Sequence, residues 1–253
     1  MPVKFLRPIL SVFVFSFLVF HAIALSQQAP GVQEKFLLDA VNHERANEKI
    51  PPLKWDANLA AAAHAHLHEM TASNRLSHQF PGEPNLAARA SHAGARFSAV
   101  AENIAEAPSV NELHIGWMNS FPHRANIMNP KLTAIGIAVE MRGEQYFAVQ
   151  DFATAVAALS REEQEKQVGR LIEKQGLRIS SNSDDARKAC DSSGYFGTMP
   201  LAILHFESAD LDRLPDQIAD SIKKGSYKTA AVGSCNVNRS DGFSHFRIAI
   251  LLY

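Results

Sequence analysis

Two histidines and one glutamate are the side chains of this chain best suited to chemistry. They are His78 in "SHQF", Glu102 in "AENIAEA" and His123 in "GWMNSFPHRANIMNP". Neutral imidazole nitrogen and carboxylate oxygen are donors that Zn2+ accepts, and a site with three protein ligands leaves one position for water. Zn2+ or another divalent cation is therefore the cofactor this set would take, with His78 and His123 as its ligands. Without a metal, the same three groups form a hydrogen-bond network in which the carboxylate favours the charged imidazole. Both readings need the fold to gather side chains that three separate segments supply into one cleft.

A second cluster competes for attention. "HAHLHEM" places His64 and His68 at i, i+4 on one helical face, a metal-compatible spacing. Ala65 stands where a zincin glutamate would follow the first histidine, so the pair reads as a solvated or half-buried face. His92, His114, His205 and His245 have no motif around them and read as structural or surface residues. Neither a Gly-rich phosphate loop nor a GxSxG elbow is present, so nucleotide binding and α/β-hydrolase chemistry are not indicated.

Helices and a hairpin must position the three cleft residues. "VQEKFLLDAVNHERANEKI" carries apolar residues at helical spacing and must stop at Pro51 and Pro52. "LKWDANLAAAAHAHLHEMTASN" starts a second helix with Asp56 as its N-cap, and its alanine run permits close packing on a sheet. An irregular stretch broken by Pro81, Gly82 and Pro84 follows, with a short helix around 86–93. A third substantial helix begins near Ser109. That helix ends at Ser120 or Phe121, where Pro122 enforces an abrupt exit. Ser120, Arg124 and Asn126 then support the loop carrying His123, with Asn129 beside them, by bonding to backbone groups freed at the helix end. "KLTAIGIAVEMRGEQYFAVQDFA" alternates about a turn at Arg142–Gly143 and reads as a β-hairpin.

These ordered stretches, with the "LLDAVNHERANEKIPPLKWD" opening, resemble the bacterial branch of the CAP superfamily: cysteine-rich secretory proteins, antigen 5 and pathogenesis-related-1, also called SCP-like. The resemblance covers roughly residues 32–155. It implies an α+β fold, a three-layer αβα sandwich, with two histidines and acidic residues around a central cleft. By motif these are His78, Glu102 and His123. Animal and plant members carry a further glutamate three residues after the helix tryptophan. Here that position, three after Trp117, is Ser120. The family is secreted, with sterol and lipid binding among its reported roles, and no single reaction unifies it.

The rest of the chain frames that domain. Lys4 and Arg7 precede the apolar run "ILSVFVFSFLVF", and "AIA" ends at Ala24, the pattern of a secretory signal peptide over residues 1–24. The run is too short to span a bilayer, so no transmembrane segment is expected after cleavage, and the protein is placed outside the cell or in a periplasm. In an oxidising compartment Cys190 and Cys235 read as a disulfide rather than two free thiols. Composition shifts after "TAVAALSREEQEK", and residues 160–253 read as a small α/β module of unknown role. A net charge of −1 with no like-charge block gives no pull toward nucleic acid. The function expected is a secreted module whose His/Glu cleft binds a divalent metal or a small polar or lipid ligand, its partner an unknown small ligand or an envelope component. The alternative is a metal-assisted hydrolase of peptides or cell-wall material, with a metal-bound water as nucleophile and Glu102 as base.

Overall fold

A computed structural model describes residues 29–191, 197–235 and 241–253. The expected signal peptide lies outside the described residues. No helix among the described residues is long and apolar enough to cross a membrane.

Helix α1 (Val32–Asn47) leads into a two-residue strand β1 (Lys54–Trp55) and then α2 (Ala57–Ser73). The Asp56 carboxylate caps α2 by accepting from the backbone N–H groups of Asn58 and Leu59, so the helix starts where its motif predicts. Next come α3 (Leu86–His92), β2 (Phe97–Ala107), α4 (Val110–Asn119) and α5 (Phe121–Ile127), then the hairpin β3 (Ala134–Arg142) and β4 (Gln145–Ala155). The sheet order is β1-β3-β4-β2, which leaves β2 on an edge.

Strand alternation sorts the core into two faces. Ile135, Ile137, Ala148 and Phe152 pack against Leu37 and Val41 of α1 and Leu113 and Trp117 of α4. Ala138, Phe147, Val149 and Ile104 pack against Ala63, Leu67 and Met70 of α2. The result is a helix–sheet–helix sandwich, as the resemblance implies. Gly136 makes its tight crossing possible: a Cβ there would stand 2.0 Å from the Ala60 amide nitrogen and 2.2 Å from the Leu59 carbonyl carbon. With no side chain on Gly136 and small ones on α2, helix and strand approach to backbone contact.

The segment expected to be a loop after Pro122 is a helix. Ser120, in extended conformation, ends α4 and starts α5, and Pro122 occupies the first turn of the new helix. Proline is favoured there because its missing N–H would have no intrahelical partner. The proline thus redirects the chain rather than ending helical structure.

The remaining chain forms α6 (Arg161–Glu173), β5 (Arg178–Ile179), α7 (Asp184–Asp191), β6 (Ala202–Ser208), α8 (Asp216–Lys224), β7 (Thr229–Cys235) and β8 (Phe246–Leu252). Its sheet runs β5-β7-β8-β6. Cys190 on α7 is disulfide-bonded to Cys235 on β7.

Candidate functional site

Glu102 lies on the edge strand β2 on the side that faces α2, and its side chain is 4% exposed. One carboxylate oxygen takes a 2.7 Å hydrogen bond from His78 Nδ1, and the other is bound by the Arg89 guanidinium. Such charge-assisted bonds are what permit a carboxylate to stay buried. His78 itself is 62% exposed, so Glu102 holds by its Nδ1 a ring that stays open to solvent.

His123 reaches the same place from the opposite layer. It sits in α5, and its carbonyl accepts from Asn103 Nδ2 at 3.1 Å. Asn126, one turn on, donates to the Glu102 carbonyl at 3.2 Å and to Asn103 Oδ1 at 2.9 Å. Asn103 points to the α5 face and Glu102 to the α2 face, as neighbours on a strand must. The β2 edge is therefore where the two layers bring their histidines together. Burial holds the His123 pKa below the ordinary histidine value, and the charge of His78 lowers it further. The structure thus gathers His78, Glu102 and His123.

Of the residues expected to support the His123 segment, Asn126 bonds across to β2 rather than to freed helix-end carbonyls. Arg124 corrects the expectation: it points away, 4.0 Å from Glu48 at the surface. Ser120 is the hinge between the two helices. Arg45, a fully buried residue of α1, takes the anchoring role instead. It donates to the carbonyls of Ile127, Asn129 and Leu132, and through Nε to Pro51. Nothing in the spacing of "NHERAN" marks Arg45 out from any other helical arginine.

Three more groups stand behind Glu102 that sequence reasoning missed. His66 is fully buried, with Nδ1 2.6 Å from Glu83 Oε1 and Nε2 2.7 Å from the Ser77 carbonyl. Its Nε2 is also 3.9 Å from Glu102. The signal was present: His66 continues the apolar stripe of Ala63, Leu67 and Met70, while His64 and His68 lie off it. His64 is engaged by Glu34 at 2.7 Å, on the solvated side of the helix. Arg89 of α3 joins Glu102 to Glu83, which it approaches to 3.5 Å. Asp151 on β4 is fully buried beside Glu102, the carboxylate to which its protonated form donates, and no N–H or O–H among the described residues donates to it. Burial raises its pKa well above the usual carboxylate range, and the negative charge of Glu102 adds to this, against a smaller opposing effect of Arg89. A carboxylate inside the apolar strand "YFAVQDFA" was the available clue.

The donor set bears on a metal. Both Glu102 oxygens already hold hydrogen bonds and the side chain is 4% exposed, which leaves the imidazoles of His78 and His123 as the donors a divalent cation would have to use. A ligand imidazole whose other nitrogen is held by a carboxylate is a familiar metal-site arrangement. Among the described residues, however, no group of three or more His, Cys, Asp and Glu side chains is placed to hold a metal ion. The described residues therefore form no closed protein site for a cation.

Comparison with known proteins bears on the family and the fold. Residues 38–152 match the family model for CAP, the cysteine-rich secretory protein family, and this part of the chain is a CAP domain. The Bacillus subtilis protein YkwD is 33% identical over 105 residues, covering 41% of each chain. The Bacillus subtilis membrane protein YlbC is 31% identical over 113 residues, covering 43% of this chain and 32% of its own. This chain therefore spans less than half the length of either relative. A solved extracellular protein containing an SCP domain from Bacillus anthracis is 30% identical, covering 48% of this chain and 40% of its own, with a TM-score of 0.43.

Proposed function

We propose that this protein is an exported binding module whose cleft, formed by His78, Glu102 and His123, takes a small polar ligand. His78 and His123 supply imidazole nitrogen to that ligand directly or through a shared divalent cation. Glu102 does not touch the ligand; it holds the His78 ring by its Nδ1. Export is supported by the pattern of the first 24 residues and by the extracellular relative from Bacillus anthracis.

One observation carries this reading: both oxygens of Glu102 are engaged, by His78 and by Arg89, on a side chain 4% exposed. A general base must accept a proton from a water or hydroxyl within reach. Glu102 is nearly buried and held between His78 and Arg89, and Asp151 is sealed in the interior. The groups the cleft offers to a ligand are then the two imidazoles, with both carboxylates turned to the protein, and this reads as a capture site.

Calorimetric titration of the whole chain with ZnCl2 tests the cation component. Saturable binding that disappears in the His78→Ala, His123→Ala double variant is the expected result. Binding of equal affinity in that variant would remove the cleft from the account. Turnover of casein or peptidoglycan that is abolished by Glu102→Gln would overturn the binding assignment in favour of hydrolysis.

A further inference from the structure

The C-terminal residues repeat the strand order of the CAP domain and the placement of three of its helices. Setting aside the seven-residue helices α3 and α5, which have no counterpart, the first half runs helix (α1), two-residue strand (β1), helix (α2), strand (β2), helix (α4) and hairpin (β3, β4). In the second half α6, β5, α7, β6, α8, β7 and β8 follow the same order. Each short strand pairs in parallel with the first hairpin strand, and each remaining pair is antiparallel. The sheet orders β1-β3-β4-β2 and β5-β7-β8-β6 are the same order. Even the bonds of the parallel pair agree. Lys54 and Asp56 donate to the carbonyls of Thr133 and Ile135, and Arg178 and Ser180 donate to those of Lys228 and Ala230.

The layers agree too. Val168 and Ile172 of α6 and Ile218 and Ile222 of α8 pack on one face of the second sheet with Ala230 and Val232. Ala186, Ala189 and Cys190 of α7 pack on the other with Ala231, Cys235 and Ala249. A glycine marks the helix–strand crossing in both halves. A Cβ on Gly233 would stand 2.1 Å from the Ala186 carbonyl carbon and 2.1 Å from the Arg187 amide nitrogen, as one on Gly136 would collide with Leu59 and Ala60. Against the parallel pair this crossing lies two residues farther along β7, in step with the longer link between β5 and α7.

The chemistry is not repeated. The row beneath the first crossing is Glu102–Asp151–Gly136, and beneath the second it is His205–Ala249–Gly233. His205 Nε2 is 3.0 Å from the Ala189 carbonyl. The connections that carry His78 and His123 in the first half correspond to residues 192–201 and 225–228, which contain no histidine. What the second half adds is a longer hairpin connection, whose end reaches the first half. Ser244 donates to the Phe97 carbonyl at 2.7 Å, and Phe243 packs edge-on against Phe97 with ring centroids 5.3 Å apart. Gly242 lies against Ala87 and Ser91 of α3.

We propose that residues 161–252 are a second, degenerate copy of the CAP scaffold that has lost the cleft side chains and braces the corner of α3 and β2 from which the first copy presents Arg89 and Glu102. Phe243 is a positioning residue in this scheme, since it acts on the cleft through α3 and Phe97. Both tests below are read without any ligand, so they stand or fall separately from the binding role of the cleft.

The glycine crossings equate Ala63 with Cys190 and Ala138 with Cys235, three residues beyond Ala60 and Arg187 and two beyond Gly136 and Gly233. In the whole chain, Ala63→Cys with Ala138→Cys is expected to fold and oxidise, leaving no titratable thiol. Two free thiols in the folded variant, or a variant that does not fold, would overturn the correspondence. For the brace, amide hydrogen exchange of residues 86–93 is expected to quicken about tenfold or more in Phe243→Ala, with α1 unchanged. The proton resonance of His78 Nδ1–H should shift with it, and Phe243→Leu should largely restore both. Exchange of α3 within about twofold of the parent would overturn the brace.

Discussion

Glu102 and Asp151 stand directly opposite each other on β2 and β4, on the same side of the sheet, and Glu102 is the one held by His78 and Arg89. Two carboxylates side by side in the interior cannot both ionise cheaply. His78 and Arg89 stabilise the charge on Glu102, and Asp151, raised by its burial and by that neighbouring charge, keeps its proton. A group whose folded pKa is raised contributes stability that is complete below its unfolded value, about pH 4, and is lost as pH rises through the folded value. Asp151→Asn preserves shape and removes the titration. Urea unfolding across pH should therefore show a shallower loss of stability above about pH 4 in the variant. A parallel pair of curves would refute the pairing.

Arg89 is the only full cation in contact with Glu102 among the described residues. Arg89→Met leaves a buried carboxylate without its strongest partner, which typically costs about 3–5 kcal/mol. Adding Glu102→Gln should recover much of that loss, because the stranded charge is then gone. Chemical denaturation of the two single variants and the double variant measures the coupling.

His123 is held low first by burial and then by the charge of His78. In His78→Ala the second influence disappears and burial remains. The His123 titration midpoint, followed by NMR of the ring protons, should move upward but stay below that of an exposed histidine. No movement would mean that the two rings do not sense each other and that the shared cleft is wrong.

Gly136 admits no side chain without moving backbone. Overpacking normally costs roughly 1–3 kcal/mol, and a clash with backbone atoms belongs at or beyond the upper end. Gly136→Ala should lower the urea midpoint accordingly, whereas alanine at the exposed Gly143 turn should cost less through strain alone.

The Cys190–Cys235 bridge closes a segment with a sequence separation of 45. The chain-entropy argument assigns such a bridge roughly 4 kcal/mol. Reduction should lower the melting temperature of the second half markedly, with a smaller effect on the exchange of α2 amides.

The sequence by itself determined the elements and the cleft histidines. Alternation in "KLTAIGIAVEMRGEQYFAVQDFA" wrote the hairpin, Asp56 and Ser109 wrote two helix starts, and an even pair of cysteines behind an export-like leader suggested the disulfide that the structure contains. His78, Glu102 and His123 were legible because each sits in a short motif whose local pattern survives in the chain. Pro122 was half legible: its fixed φ announces a change of direction, but the same φ suits the first turn of a new helix, and only packing chose between them.

Tertiary structure alone decided which groups engage Glu102. Arg89, Asp151 and His66 lie on three different elements, and their meeting depends on strand register and on the close crossing at Gly136. The repeat was likewise invisible in the residues, since packing preserves the order and direction of elements while tolerating many apolar sequences. A cleft needs particular atoms at particular places, so it leaves a mark in sequence; a scaffold needs only the right faces, so its second copy shows itself in space.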